Sequence, residues 1–284
     1  MNLPSLKNKV AIVTGSSRGI GKAIAIQLAK SGASVIVTAR TESPTDNVPG
    51  SIQETCLEIE RSGGIAIPVV CNVRDEHSII NLVTQTLNTC GKIDILVNNA
   101  GIGNYQSFTN TSLKQWDLML DINLRAPIIL MQNVLPVMIK QQSGSIINVS
   151  SHAATNIFSS TLSSDTSDEV KIIGQSYGAS KAAIERLSWG LAAEVGEYNI
   201  SINVLKPLKP VLTEGFVAQR PDGDYSSWST PDAMAQATTI LAAQEKAQGR
   251  RTDPAGEGGQ SPHFKGAGAR RTQHRRSQGL PQRP

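Results

Sequence analysis

Residues 10–21 constrain this chain more than any other stretch. Val10-Ala11-Ile12-Val13-Thr14 is short, apolar and largely β-branched, the pattern of a strand buried on both faces of a parallel sheet. Thr14-Gly15-Ser16-Ser17-Arg18-Gly19-Ile20-Gly21 follows at once, and residues 22–31 then carry helical periodicity. A strand, a glycine-rich turn and a helix in immediate succession are the context a dinucleotide fingerprint requires. Glycine lets the backbone turn tightly and approach a pyrophosphate, while the helix start offers unpaired N–H groups and the positive end of its dipole. Gly15, Ser17, Arg18, Gly19, Ile20 and Gly21 are therefore candidate cofactor contacts. The bland alternative is a tight βα turn that binds nothing.

The pattern recurs along the chain. Ser34–Ala39, Ile65–Val70 and residues 93–97, 145–149 and 201–205 read as strands. Residues 51–62, 75–90, 112–142 and 231–243 read as helices, the third kinked at Pro127 and Pro136. In the last, Met234, Ala237, Ile240 and Leu241 are expected to face inward. Such alternation specifies an α/β fold, a Rossmann-like doubly wound parallel sheet flanked by helices. Residues 1–244 form this domain, and the usual last strand is replaced by a basic, low-complexity tail over 245–284, expected to be disordered.

Charge supports that division. The tail carries nine Lys/Arg against three Asp/Glu, whereas the rest carries eighteen against twenty. The body is slightly acidic and lacks a nucleic-acid footprint. The tail could touch phosphates, but only Phe264 offers a stacking surface there, so no specific nucleic-acid partner is expected. No stretch reads as a membrane span, and the N-terminus has no secretory pattern. Three cysteines (Cys56, Cys71 and Cys90) make neither a disulfide framework nor a metal cluster, which points to a cytoplasmic protein without metal.

Cofactor type follows from charge near the second strand. Where a dinucleotide fold selective for NAD places an acidic residue on the ribose 2′-hydroxyl, this chain has Ala39 and Arg40. Arg18 and Arg40 suit a 2′-phosphate, so NADP(H) is favoured over NAD(H); solvated surface arginines are the alternative. Tyr177 and Lys181 lie four apart in Tyr177-Gly178-Ala179-Ser180-Lys181, on one face of a helix. A phenol beside an ammonium makes an acid/base device, with the charge expected to draw the phenol's pKa downward. Asn98-Asn99-Ala100-Gly101 could line a cofactor's edge, and Asn123 is a polar residue in an apolar helix that needs partners.

Together, Thr14–Gly21, Asn98–Gly101, Asn123, Ser151 and Tyr177–Lys181 stand in the order that marks short-chain dehydrogenases/reductases, and residues 7–244 resemble that family. The resemblance implies a nicotinamide cofactor and a small-molecule carbonyl or alcohol substrate. It implies that Tyr177 is the proton donor in reduction and that Lys181 holds the ribose and lowers the Tyr177 pKa. Ser151 would bond the substrate oxygen, and Asn123 would anchor a water. Asn99, Ala100 and Gly101 would touch cofactor, as would Asn72 and Val73 near the adenine and Pro207, Val211 and Thr213 near the nicotinamide. Related enzymes pair through helices equivalent to 112–142 and 174–198, which implies a homodimer.

Four departures qualify the resemblance. Ser151 and Tyr177 are 26 positions apart, about twice the usual spacing, with a Ser/Thr-rich acidic insertion near 157–173. Asn72 replaces an Asp. Leu208 stands where the family has Gly after Pro207, a turn expected to be strained, with Lys206 and Lys209 intruding. The seventh strand is missing. Two readings follow: an oxidoreductase, or a scaffold that binds cofactor with impaired catalysis.

Overall fold

The computed structural model describes residues 2–43, 49–103, 106–155, 174–219 and 221–244. The insertion near 157–173 and the tail over 245–284 lie outside the described residues.

The chain opens with β1 (Val10–Thr14), α1 (Gly19–Lys30), β2 (Ser34–Ala39), α2 (Ile52–Arg61), β3 (Ile65–Val70), α3 (Glu76–Cys90) and β4 (Ile95–Asn98). It continues through α4 (Leu113–Leu120), α5 (Ala126–Gln141), β5 (Gly144–Val149), α6 (Gln175–Val195), β6 (Ile200–Leu205), α7 (Glu214–Gln219) and α8 (Asp232–Ala242). Among the described residues the sheet has six strands in the order β3-β2-β1-β4-β5-β6, and every neighbouring pair runs parallel. The order reverses between β1 and β4, so a crevice opens at their carboxyl ends, where ligands bind in open α/β sheets.

Successive strand residues point to opposite faces, which builds two cores. Ala11, Val13, Val35, Val37, Ile95 and Val97 pack beneath α1, α2 and α8. Ile12, Ile36, Leu96 and Ile146 pack beneath α3, α5 and α6. Local caps fix helix starts: Ser51 accepts from Glu54 N, Asp75 from His77 N, and Ser112 with Gln115 forms a capping box.

Several boundaries differ from the sequence reading. Helix α1 starts at Gly19 rather than residue 22, so Gly19, Ile20 and Gly21 form its first turn. Strand β4 begins at Ile95. The expected single helix over 112–142 divides into α4 and α5 around a π turn, Asp121–Arg125, which contains Asn123. The cause lies one residue beyond Arg125-Ala126. Pro127 has no N–H for the carbonyl four residues back and its ring crowds that carbonyl, so the helix widens ahead of it. Helix α5 runs on through Pro136. In α8, Met234 and Leu241 are buried as expected, but Ile240 is exposed and Thr238 and Thr239 take inward places. Leu113–Gln141 has the length and apolar composition to cross a membrane, contrary to the expectation of no such stretch. Its buried residues Met131, Val134 and Met138 belong to the core beneath the sheet.

Candidate active site

A cavity of about 850 Å³ lies at the carboxyl edge of the sheet. The glycine turn forms its floor. Gly15 and Gly19 have φ of 66° and 58°, in the left-handed region that favours glycine. A Cβ on Gly21 would sit 2.3 Å from Gly15 O and 2.4 Å from Asn99 Nδ2. The N-cap residue Arg18 makes no side-chain cap and the first turn holds no acidic residue, so the amides of that turn, Gly19 N apart, are left to other acceptors. This close approach of backbone to a helix start fits a dinucleotide's phosphates.

The Asn98–Gly101 run braces that turn. Thr14 Oγ1 accepts from Asn99 N (3.0 Å) and Ala100 N (3.1 Å), and Asn99 Nδ2 donates to Thr14 O at 2.9 Å. Asn98 Nδ2 instead donates to Asn148 Oδ1 across to β5. These amides tie β1, β4 and β5 together. Asn99, Ala100 and Gly101 also line the cavity.

At one end Arg18, Arg40, Asn72 and Val73 line the same cavity. Arg18 Nη2 donates to Gly50 O (3.0 Å) and Thr41 Oγ1 (3.3 Å), which holds its guanidinium near the end of β2. At the other end are Pro207, Val211 and Thr213. Leu212 N donates to Ser229 O and Ser229 N to Pro210 O, both at 2.9 Å, so this loop is pinned. The strain expected at Leu208 is absent. Among the described residues, the non-glycine positions with positive φ are Asn8, Gln142 and Asn199.

Ser151, Tyr177 and Lys181 meet between these ends. The Tyr177 phenol and the Ser151 hydroxyl share this cavity across the long insertion, near enough for the hydroxyl to act on the phenol's pKa. Lys181, buried, donates from Nζ to Val149 O at 2.8 Å, and its Nζ lies 5.9 Å from the centre of the Tyr177 ring. Burial pushes the Tyr177 phenol above its ordinary pKa, and the Ser151 side chain only partly opposes this. That reverses the expected direction: loss of water around the phenol outweighs the other influences on it. Burial also lowers Lys181 itself from 10.5 to about 8.

Asn123 is buried behind the cavity wall. Its Oδ1 accepts from Ile102 N at 2.9 Å, and its Nδ2 donates to Ile102 O (2.9 Å) and Ser180 Oγ (3.1 Å). The amide therefore holds the 101–102 loop to α6. Sequence reasoning missed Glu214, whose Oε2 accepts from Gly19 N at 2.8 Å. It also missed Glu185, although Glu185 continues the four-residue spacing of Tyr177 and Lys181.

A parallel sheet in this order, with a glycine turn and a Ser–Tyr–Lys group at its carboxyl edge, defines a dinucleotide-fold protein of the oxidoreductase type. Residues 9–222 match the family model described as short chain dehydrogenase. The chain belongs to the short-chain dehydrogenase/reductase family, whose members act on CH–OH and C=O groups. It is 33% identical over 247 residues to hydroxysteroid dehydrogenase-like protein 2 of Xenopus tropicalis, covering 86% of this chain and 56% of that protein. Over 149 residues it is 42% identical to the Danio rerio counterpart, covering 52% of this chain and 36% of the other. The chain thus spans between a third and about half the length of these relatives. The short-chain dehydrogenase/reductase FrzI of Cladobotryum sp is 37% identical, with 74% of each chain covered. Among solved structures, a hydroxysteroid dehydrogenase from Escherichia coli superposes with a TM-score of 0.70 at 28% identity, covering 84% of this chain and 90% of that one. A metagenomic short-chain oxidoreductase in complex with NADP gives 0.67 at 29% identity, covering 84% and 92%.

Proposed function

We propose that this chain is an NADP(H)-dependent oxidoreductase that interconverts a carbonyl and a secondary alcohol, with Tyr177 as acid/base. The observation that carries this reading is the meeting of Ser151, Tyr177 and Lys181 in the cavity that the glycine turn floors. The bound nicotinamide supplies or accepts the hydride.

Hydride arrival builds negative charge on the carbonyl oxygen, and positioned O–H donors stabilise it as it forms. A phenol kept protonated by burial is suited to give its proton in the reductive direction. Ser151 orients that phenol and offers a second donor to the same oxygen. Lys181 holds the ribose and relays a proton. Asn123 positions Gly101 and Ser180 around that ammonium. Gly15, Ser17, Gly19, Ile20 and Gly21 cradle the phosphates, and Asn72 and Val73 border the adenine. Arg18 and Arg40, with no acidic residue at the end of β2, favour the 2′-phosphate. Pro207, Val211 and Thr213 close on the nicotinamide.

The hydroxysteroid names of several relatives support a substrate with a bulky apolar body. So does an aromatic group beside the cavity, in which Phe216 and Tyr225 each meet Trp228 edge-on at 5.0 Å. The free thiols of Cys56, Cys71 and Cys90 agree with a cytoplasmic location, and helices α4 to α6 offer the homodimer surface. The scaffold reading drew on the missing seventh strand, the Leu208 substitution and the insertion before Tyr177. A Leu208 backbone without positive φ and the meeting of Ser151 and Tyr177 in one cavity favour the enzyme.

Tyr177→Phe tests the assignment. NADPH binding, followed by Trp fluorescence, stays near wild type while ketone reduction, followed by NADPH depletion, falls at least about a thousandfold. Activity within about tenfold of wild type removes the proton-donor role. Arg40→Asp shifts preference toward NADH, and an unchanged cofactor ratio removes the 2′-phosphate contact.

A further inference from the structure

Ser151 and Tyr177 reach each other from different elements, so something must hold α6 in register with the end of β5. Three successive turns of α6 carry Tyr177, Lys181 and Glu185 at four-residue spacing. Each meets one of three consecutive residues at the end of β5, Val149 to Ser151. Tyr177 lies by the Ser151 side chain in the cavity, Lys181 Nζ donates to Val149 O, and Glu185 Oε1 accepts from Ser150 Oγ at 2.7 Å.

The third contact is charged and buried. Glu185 is 3% exposed and faces Lys206 Nζ at 3.4 Å; Lys206 is 5% exposed. Lys206 follows β6 directly and precedes Pro207 of the cavity wall. Its Nζ also donates to Thr155 Oγ1 at 3.5 Å, beside the point where the insertion departs. Ser150 N donates to Leu205 O at 2.8 Å, so the same carboxylate joins α6, β5 and β6. Cohesion alone does not explain it, because apolar side chains of similar volume hold such elements at least as well as a desolvated ion pair. Directional bonds to Ser150 set a register that apolar contact would not.

We infer that Glu185 and Lys206 are a positioning pair that, through Ser150, sets the Ser151 hydroxyl against the Tyr177 phenol. The inference rests on the proposed proton-transfer role. Neither residue touches the reacting atoms; they act on kcat by holding two groups that do.

The test uses Ser150→Ala, a small change that keeps the ion pair, together with Lys206→Met and the neutral double variant E185Q/K206M. Ring-labelled [ζ-13C]tyrosine reports on the Tyr177 phenol without turnover, its resonance identified by loss in Tyr177→Phe. Ser150→Ala moves that resonance in the same direction as Ser151→Ala does. It lowers kcat about tenfold and leaves KM for NADPH within about twofold. E185Q/K206M recovers the melting temperature lost in Lys206→Met without recovering kcat. A wild-type resonance and kcat in Ser150→Ala, or recovery of kcat with stability in the double variant, overturns the inference and leaves the pair purely structural. If the wild type reduces no carbonyl, the functional reading fails, while the resonance still decides whether the pair sets the Ser151–Tyr177 contact.

Discussion

Lys181→Met should leave the cofactor-free protein at least as stable below pH 8 while removing its activity. The ammonium is buried, and burial takes its pKa from 10.5 to about 8, which corresponds to about 3 kcal/mol against the folded protein wherever the lysine is charged in both states. The methionine removes that penalty but also the bond from Nζ to Val149 O, and an unpaired buried carbonyl costs about 1–3 kcal/mol. The net gain at pH 7 is about 0–2 kcal/mol, at most about 5 °C in melting temperature. The pH dependence isolates the cause. Between about pH 8 and 10.5 the unfolded chain keeps the proton that folded Lys181 has lost, so wild-type stability rises relative to the variant. Above 10.5 the penalty is gone and only the lost hydrogen bond remains, so the variant becomes the less stable of the two. Urea unfolding of both proteins at pH 7, 9 and about 11, without cofactor, measures this difference. A difference that stays constant across that range refutes the idea that burial of this charge is what the fold bears.

Two further outcomes follow from the turn. Gly21→Ala forces a Cβ to 2.3 Å from Gly15 O, so the turn must shift; stability falls by about 1–3 kcal/mol and NADPH affinity at least about tenfold, both measured by titration and thermal melting. Glu214→Gln replaces a carboxylate that holds Gly19 N at 2.8 Å, an amide that an incoming phosphate would also seek. Removing that competing charge tightens NADPH binding about threefold in a fluorescence titration, and weaker binding would mean that Glu214 builds the anion site.

Much of this molecule was legible before folding, because the signals were local. Gly15 and Gly19 had to be glycine for their own φ, and Gly21 for the backbone lying against it. The β-branched runs and the helical periods are properties of neighbours along the chain. The Tyr177–Lys181 spacing needed only one helix. Asn99 and Asn123 were found as polar residues in unusual places, but their partners were not, since Thr14 and Ile102 lie far from them in sequence.

The sequence by itself determined a doubly wound sheet, a glycine turn at its first crossing, and which residues carry hydroxyl, phenol and ammonium groups. Tertiary structure decided what those groups do to one another. It brought Ser151 and Tyr177 together across the insertion, turned Lys181 toward Val149 O, relaxed Leu208 and buried Glu185 against Lys206. It also reversed the expected direction of the Tyr177 pKa. Spacing along a helix brings two side chains near each other, but the free energy of a charge depends on how much water the surrounding chain removes, and that is a property of the whole fold.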